Sequence, residues 1–379
     1  MFYFVISITY FILFVLSRNV ILGFYFGFNL VFMGLIPWLE GGLGYTYWGL
    51  PELDQAVTVF VDLIILLQSF LVFKLANYRA SITLVLPRAK HIWFLCVLQC
   101  VIGFYIIMRF DFNWFNLLFR AGEFQGNFSS QIDYLFVTFL RIFVFNLGIF
   151  IYFSNSRFGF LFFLLSVLIL SPFSMTRALT GAIYLSIIFY ALSLKFRSLL
   201  LPKMLILTSM AAFPLFDFFR QLGSGRSLLE FGQKSALLNG QFDSHQIIVN
   251  VITDHLFLWG NNLLGAFLFF VPRSLWESKP VSSGRYIADH YDLSLNNISA
   301  PFVAEMVIGF GFNGLFLHPF ILSKMISMTR NISYRNSLLY FQMSGLSLML
   351  FRGSLMTTFS FLFCIIFSWL FISTVTKIR

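Results

Sequence analysis

Long apolar runs recur from one end of this chain to the other, each close to the roughly 20 residues that a helix needs to cross a hydrocarbon layer about 30 Å thick. Backbone polar groups inside such a layer must be satisfied within the protein, so the runs predict helices rather than open sheet. Composition agrees. Of 379 residues, 59% are hydrophobic and 11% are charged, where a soluble domain carries roughly 25% charge. Mean hydropathy is +0.86. A water-soluble core cannot absorb that much apolar surface. The expected fold is therefore all-α, a polytopic transmembrane helical bundle forming one integral membrane domain over residues 1–379.

Spans are expected near Phe2–Leu16, Val20–Leu39, Ala56–Phe73, His91–Met108, Tyr134–Phe153, Phe158–Leu170, Ala178–Leu194, Met204–Phe219, Pro301–Leu322, Ser337–Leu350 and Ser354–Val375. That is about eleven, within a range of about ten to twelve. Phe2–Leu16 lacks a basic leader and a small-residue cleavage pattern, so it reads as a retained helix. The short loops sort by charge: Arg18, Lys74–Lys90, Arg157, Lys195–Lys203, Lys324–Arg335 and Lys377–Arg379 carry bases and no acids. Basic loops resist translocation, which places this set in the cytoplasm. The acids fall in the opposite loops or nearer that face, including Asp62 within a span. The N-terminus is then outside and the C-terminus inside. One large external loop remains, about 220–300, in which the broken apolar stretch Leu256–Val271 is expected to lie in the interface or re-enter the membrane.

The net charge of +10 is explained by topology and implies no nucleic acid. Arginines on the outer face run against the topogenic rule, and so call for a reason. They are Arg177 at an outer helix end, Arg220 and Arg226 opening the long loop, Arg273 and Arg285 with Lys279 in its second half, and Arg352 in a tight turn; Arg109, Arg120 and Lys234 complete the outer set. A guanidinium offers a fixed fork of donors matched to phosphate oxygens. The alternative for each is snorkelling to headgroups, as Arg109 is read to do, or pairing with a local acid, such as Arg285 with Asp289. Arg141 lies inside a span and needs an internal acid or a polar cavity.

Acid–base candidates concentrate in the same external segment. Asp243 and His245 sit two residues apart and could share a face only if extended. Asp254-His255 and Asp289-His290 are weaker, because neighbours on a helix diverge. Glu305 stands within the first turns of a span, where an acid is a functional candidate by default. The spacing shows no metal constellation and no nucleotide loop, so neither a metal nor another cofactor is expected. Cys96, Cys100 and Cys364 lie in apolar runs and read as packing.

The segment Phe270-Val-Pro-Arg-Ser-Leu-Trp-Glu-Ser-Lys-Pro280, followed by Ala300-Pro-Phe-Val-Ala-Glu-Met-Val-Ile-Gly-Phe-Gly-Phe-Asn-Gly314, resembles the Wzy-type oligosaccharide repeat-unit polymerases of O-antigen and capsule. The resemblance implies a bacterial inner-membrane glycosyltransferase. Such an enzyme moves a growing glycan from undecaprenyl diphosphate onto an incoming lipid-linked repeat unit at the periplasmic face. Membrane lipid and a chain-length regulator protein are its implied partners. Arg273 and Lys279 match the family's pattern of basic residues on the substrate diphosphates; Arg177, Arg220 and Arg352 match in kind. Glu277 stands where that pattern has proline. Glu305, Asp243 or His245 would then serve as the base. The alternatives are an O-antigen ligase and a lipid-linked oligosaccharide flippase, which needs bases midway along several spans.

Overall fold

The computed structural model describes residues 2–38, 46–47, 49–78, 92–119, 128, 131–154, 157–175, 177–196, 242–293 and 298–376. Among them every regular element is a helix. In chain order these are α1 (Phe2–Leu16), α2 (Val20–Trp38, with a π-helical stretch Leu30–Leu35), α3 (Gln55–Ala76), α4 (Ile92–Arg109), α5 (Trp114–Leu118), α6 (Gln131–Phe153), α7 (Gly159–Ile169) and α8 (Arg177–Thr180). After a π segment (Gly181–Leu185) come α9 (Ser186–Phe196), α10 (Ser244–Thr253), α11 (Asn261–Phe267), α12 (Ser283–His290), α13 (Phe302–Phe310), α14 (Asn313–Arg335), α15 (Ser337–Arg352) and α16 (Leu355–Thr376).

Five of these helices are long and apolar enough to cross a membrane: Val20–Trp38, Gln55–Ala76, Ile92–Arg109, Ile132–Phe153 and Leu355–Thr376. The chain is thus a helical membrane protein. Other expected spans differ for identifiable reasons. Phe2–Leu16 and Gly159–Ile169 are apolar but short, and Met204–Phe219 lies outside the described residues. The expected span Pro301–Leu322 is not one helix. It breaks at Gly311, whose φ of 59° and ψ of −150° belong to a region essentially reserved for glycine. Beyond the break α14 runs on to Arg335, so Lys324, Arg330 and Arg335 belong to a helix rather than to a loop.

The chain divides into two compact units, Met1–Thr83 with Gly181–Ser360, and Leu84–Thr180 with Phe361–Arg379. In the first unit α3 packs along α14, α13 folds back on α14, and α10 lies against α13 and α3. The buried face of α3 carries Thr58, Asp62, Ile65, Ser69, Val72 and Ala76, a three-and-four spacing that makes one helical stripe. Polar groups on that stripe find local partners. Asn29 donates to Ser69 Oγ at 3.1 Å, Tyr25 and Ser69 share a hydroxyl contact at 3.2 Å, and Gln68 donates to the Leu315 carbonyl at 2.7 Å.

In the second unit α4, α6 and α7 pack together around Ile106, Phe110, Val137, Val144 and Ile169. Arg141 is buried there. Its Nε donates to the Ile169 carbonyl at 2.8 Å, its Nη2 donates to Ser174 Oγ at 2.6 Å and to the Leu117 carbonyl at 3.3 Å, and its guanidinium stands 5.5 Å from the Phe110 ring centre. The end of α7, where the helix dipole is negative, thus supplies what the sequence expects from an acid or a cavity. Arg109, expected to face headgroups, instead forms an ion pair with Asp133.

Candidate functional site

In the first unit, α11, α12, α13 and the start of α16 meet at one carboxylate. Glu305, on the first turn of α13, is buried and accepts three hydrogen bonds. They come from Ser283 Oγ on α12 at 2.5 Å, Asn262 Nδ2 on α11 at 2.9 Å and the Leu355 N–H that opens α16 at 2.8 Å. Asn262 also donates to the Glu305 carbonyl at 3.0 Å. A buried carboxylate is costly unless hydrogen-bonded, and here the acceptors are filled by neutral donors from three elements. α11 and α12 flank the segment 268–282, so Glu305 fixes both ends of the motif that contains Arg273 and Lys279.

Within that segment the two motif cations brace the chain reciprocally. Arg273 Nη1 donates to the Lys279 carbonyl at 2.7 Å, and Nη2 donates to the Pro280 carbonyl at 3.4 Å. Lys279 Nζ reaches the other way, to the carbonyls of Phe269 at 2.7 Å and Val271 at 2.8 Å. The turn between them is closed by the Leu275 and Trp276 N–H groups on the Pro272 carbonyl. Among the described residues neither cation has an acid partner, and both keep unused N–H donors. Burial and the Arg273 charge hold the Lys279 amine below its ordinary pKa. Two like charges this close favour an anion between or above them.

The other expected anion ligands divide. Arg352 ends α15, its carbonyl accepts from the Ala300 N–H at 3.2 Å, and the Asp243 carboxylate is its electrostatic partner. Asp243 also accepts from the Ser299 hydroxyl, so Asp243, Arg352 and Glu305 gather around the turn between α15 and α16. Arg285 pairs with Asp289 at 3.5 Å, both exposed, as an i, i+4 pair on α12. Arg220 and Arg226 lie outside the described residues. Arg177 opens α8 in the second unit; its side chain also lies outside what is described.

Asp243 and His245 do not form a dyad. They flank the start of α10, where a two-residue step turns about 200°, so they face different ways. His245 instead meets Asp62 on α3, Nε2 to Oδ1 3.1 Å, with both side chains 1% exposed. The Tyr3 ring stands perpendicular to the imidazole, ring centres 6.3 Å apart. Sequence reasoning placed Asp62 in a span without assigning it a partner; the signal available was the acid at membrane depth. Ser283, Asn262 and Ser299 carried no signal at all. Asp254 accepts from the Tyr291 hydroxyl at 2.5 Å, while His255 packs against Phe257 and Phe312.

Compared with known proteins, the chain matches no family model, no curated protein and no solved structure.

Proposed function

We propose that this chain is a glycan polymerase of the bacterial inner membrane, joining undecaprenyl-diphosphate-linked repeat units into O-antigen or capsular polysaccharide at the periplasmic face. The observation that carries the reading is the loop held by Arg273 and Lys279. It is a pair of cations fixed by carbonyls, without acid partners among the described residues, in the segment that the charge pattern assigns to the outside. In the proposed step the acceptor hydroxyl oxygen attacks the anomeric carbon of the donor glycan. The bond from that carbon to the diphosphate oxygen breaks, and the electron pair leaves with the diphosphate. Arg273 and Lys279 offset the charge that builds on it.

The hydroxyl proton passes to a base, and among the candidates Asp243 stands beside the cation Arg352. Glu305, with its oxygens already taken by three donors, acts through the loop it positions. Arg141 is held by helix-end carbonyls, which removes support for the flippase alternative. A ligase would use the same donor chemistry with a different acceptor.

Purified full-length protein, given a lipid-linked repeat unit in liposomes with excess EDTA, is expected to make a ladder of longer lipid-linked glycans and release undecaprenyl diphosphate. Arg273→Ala should stay folded and lose most of the ladder. Activity that EDTA removes and a divalent metal restores would overturn the arginine mechanism, and movement of the repeat unit across the bilayer without a ladder would replace it with transport.

A further inference from the structure

The cation-braced loop holds apolar side chains out of the protein. Leu275, at its tip, is 81% exposed; Phe270 is 65% and Phe267, at the end of α11, 61% exposed. Leu264, one helical turn before Phe267, is also exposed, and the i, i+3 spacing puts both on one face of α11. Exposed apolar groups of this size grouped together mark a contact with something apolar.

Looseness does not account for the exposure. The crossed Arg273 and Lys279 bonds tie residues 269–271 to residues 279–280. Two N–H groups close the tip on Pro272, and Trp276 Nε1 donates to Ser278 Oγ at 3.1 Å. The loop is also seated on α11: a Cβ at Gly265 would stand 2.5 Å from the Pro280 ring, so ring and helix backbone are in direct contact. These bonds hold the backbone that carries Leu275 at the tip of the loop. Its flanks hold cations and a tryptophan, the residue types that sit at headgroup level with apolar bodies and polar tips. The two cations lack acid partners among the described residues, a charge complement to lipid phosphates.

We propose that residues 264–280 form a lipid wedge. Leu275, Phe270 and Phe267 enter the acyl region of the leaflet, Arg273 and Lys279 stand at the depth of lipid phosphates, and the anionic ligand reaches them from the plane of the leaflet. The proposal rests on the functional reading only for the side of the membrane and for the identity of the diphosphate. The wedge itself is measured without turnover.

The test uses full-length protein in phosphatidylcholine nanodiscs, with Cys96, Cys100 and Cys364 replaced by serine and a single spin label at Leu275→Cys, Phe270→Cys or His290→Cys. Labels at 275 and 270 should be relaxed by oxygen and shielded from a nickel chelate, and the label at the exposed His290 should show the reverse. Nickel accessibility at 275 equal to that at 290 overturns the wedge. If the cysteine-free background fails to fold, quenching by brominated lipids decides: wild type should lose more fluorescence than Trp276→Phe, and equal loss sinks the proposal.

A label at Ser274→Cys separates the sources of phosphate. Immobilisation by a low mole fraction of undecaprenyl diphosphate, lost in Arg273→Gln, supports both wedge and polymerase. Equal immobilisation by phosphatidylglycerol keeps the wedge and removes the carrier-specific reading. No response to either lipid removes the phosphate contact and overturns the proposal as stated.

Discussion

His245 on α10 and Asp62 on α3 meet at 3.1 Å across 183 residues of sequence, both almost wholly out of solvent. The pair joins α10 to α3, a helix long and apolar enough to cross a membrane, whereas Asp243, two residues earlier, turns toward Ser299 and Arg352. The start of α10 thus commits two titratable residues to different neighbours. The imidazole links α10 to α3, and Asp243 faces away from that contact.

Removing either partner strands the other in a buried site, at a cost of about 1–3 kcal/mol, and more where the group is charged. Asp62→Asn and His245→Phe should each lower the melting temperature in detergent. The double variant should melt well above the value that adding the two losses gives, because the second change removes the group the first left unpaired. Additive losses would dissolve the pairing.

Glu305→Gln distinguishes a positioning acid from a base. The amide keeps the volume but sets an NH2 group against the Ser283 hydroxyl, Asn262 Nδ2 or the Leu355 N–H, all of which donate. A loss of about 1–3 kcal/mol is expected, together with faster proteolysis between residues 268 and 282 and a matching fall in activity. Full loss of activity at unchanged stability and protease resistance would make Glu305 the base instead.

Most helices were legible because an apolar run records its own length: Phe2–Leu16 and Ser337–Arg352 stand within two residues of their expected bounds. The break at Gly311 was less so, since hydropathy is continuous across Gly-Phe-Gly and only the backbone angle of one glycine interrupts it. Partners were legible when local, as Arg285 with Asp289 one turn away. They were illegible at distance, as Asp62 with His245. Carbonyl partners were the hardest to foresee: every residue has one, so nothing in the sequence marks Lys279 O or Phe269 O as what Arg273 and Lys279 would bind.

The arginines should rank by what compensates them. Arg285, exposed and paired with Asp289, should tolerate alanine within about 0.5 kcal/mol and with unchanged ladder length. Arg273→Lys should abolish the ladder, because a single ammonium cannot hold the Lys279 and Pro280 carbonyls and still present a planar fork. Arg109→Lys would not be a neutral comparison, since Arg109 is paired with Asp133. Equal activity of Arg273→Lys and Arg285→Ala would return Arg273 to headgroup snorkelling.

The segregation of acids from basic loops predicts sidedness. A periplasm-dependent reporter fused after Gly240 should be active, and one fused after Asn336 inactive. The second position follows α14, which would be cut by a fusion at Arg330. The reverse pattern would invert the threading and every assignment to the outer face.

Lys279 should titrate early. Burial and the Arg273 charge both disfavour its ammonium form, so the folded chain releases this proton below the ordinary lysine value while the unfolded chain still holds it. Between those two values the unfolded state binds more protons, so the Lys279 contribution to stability rises with pH through that window. Anion binding moves the opposite way, because the loop falls from two positive charges to one as the folded form deprotonates. Arg273→Gln removes the like charge and should shift the Lys279 midpoint upward, though not fully, since burial is the larger cause. Carbon-13 dimethyl-lysine NMR of the full-length protein, with the Lys279 signal assigned by its absence in Lys279→Arg, reads that midpoint directly. A midpoint indistinguishable between wild type and Arg273→Gln would mean that the two cations do not sense each other, and would remove the electrostatic basis for treating them as one anion site.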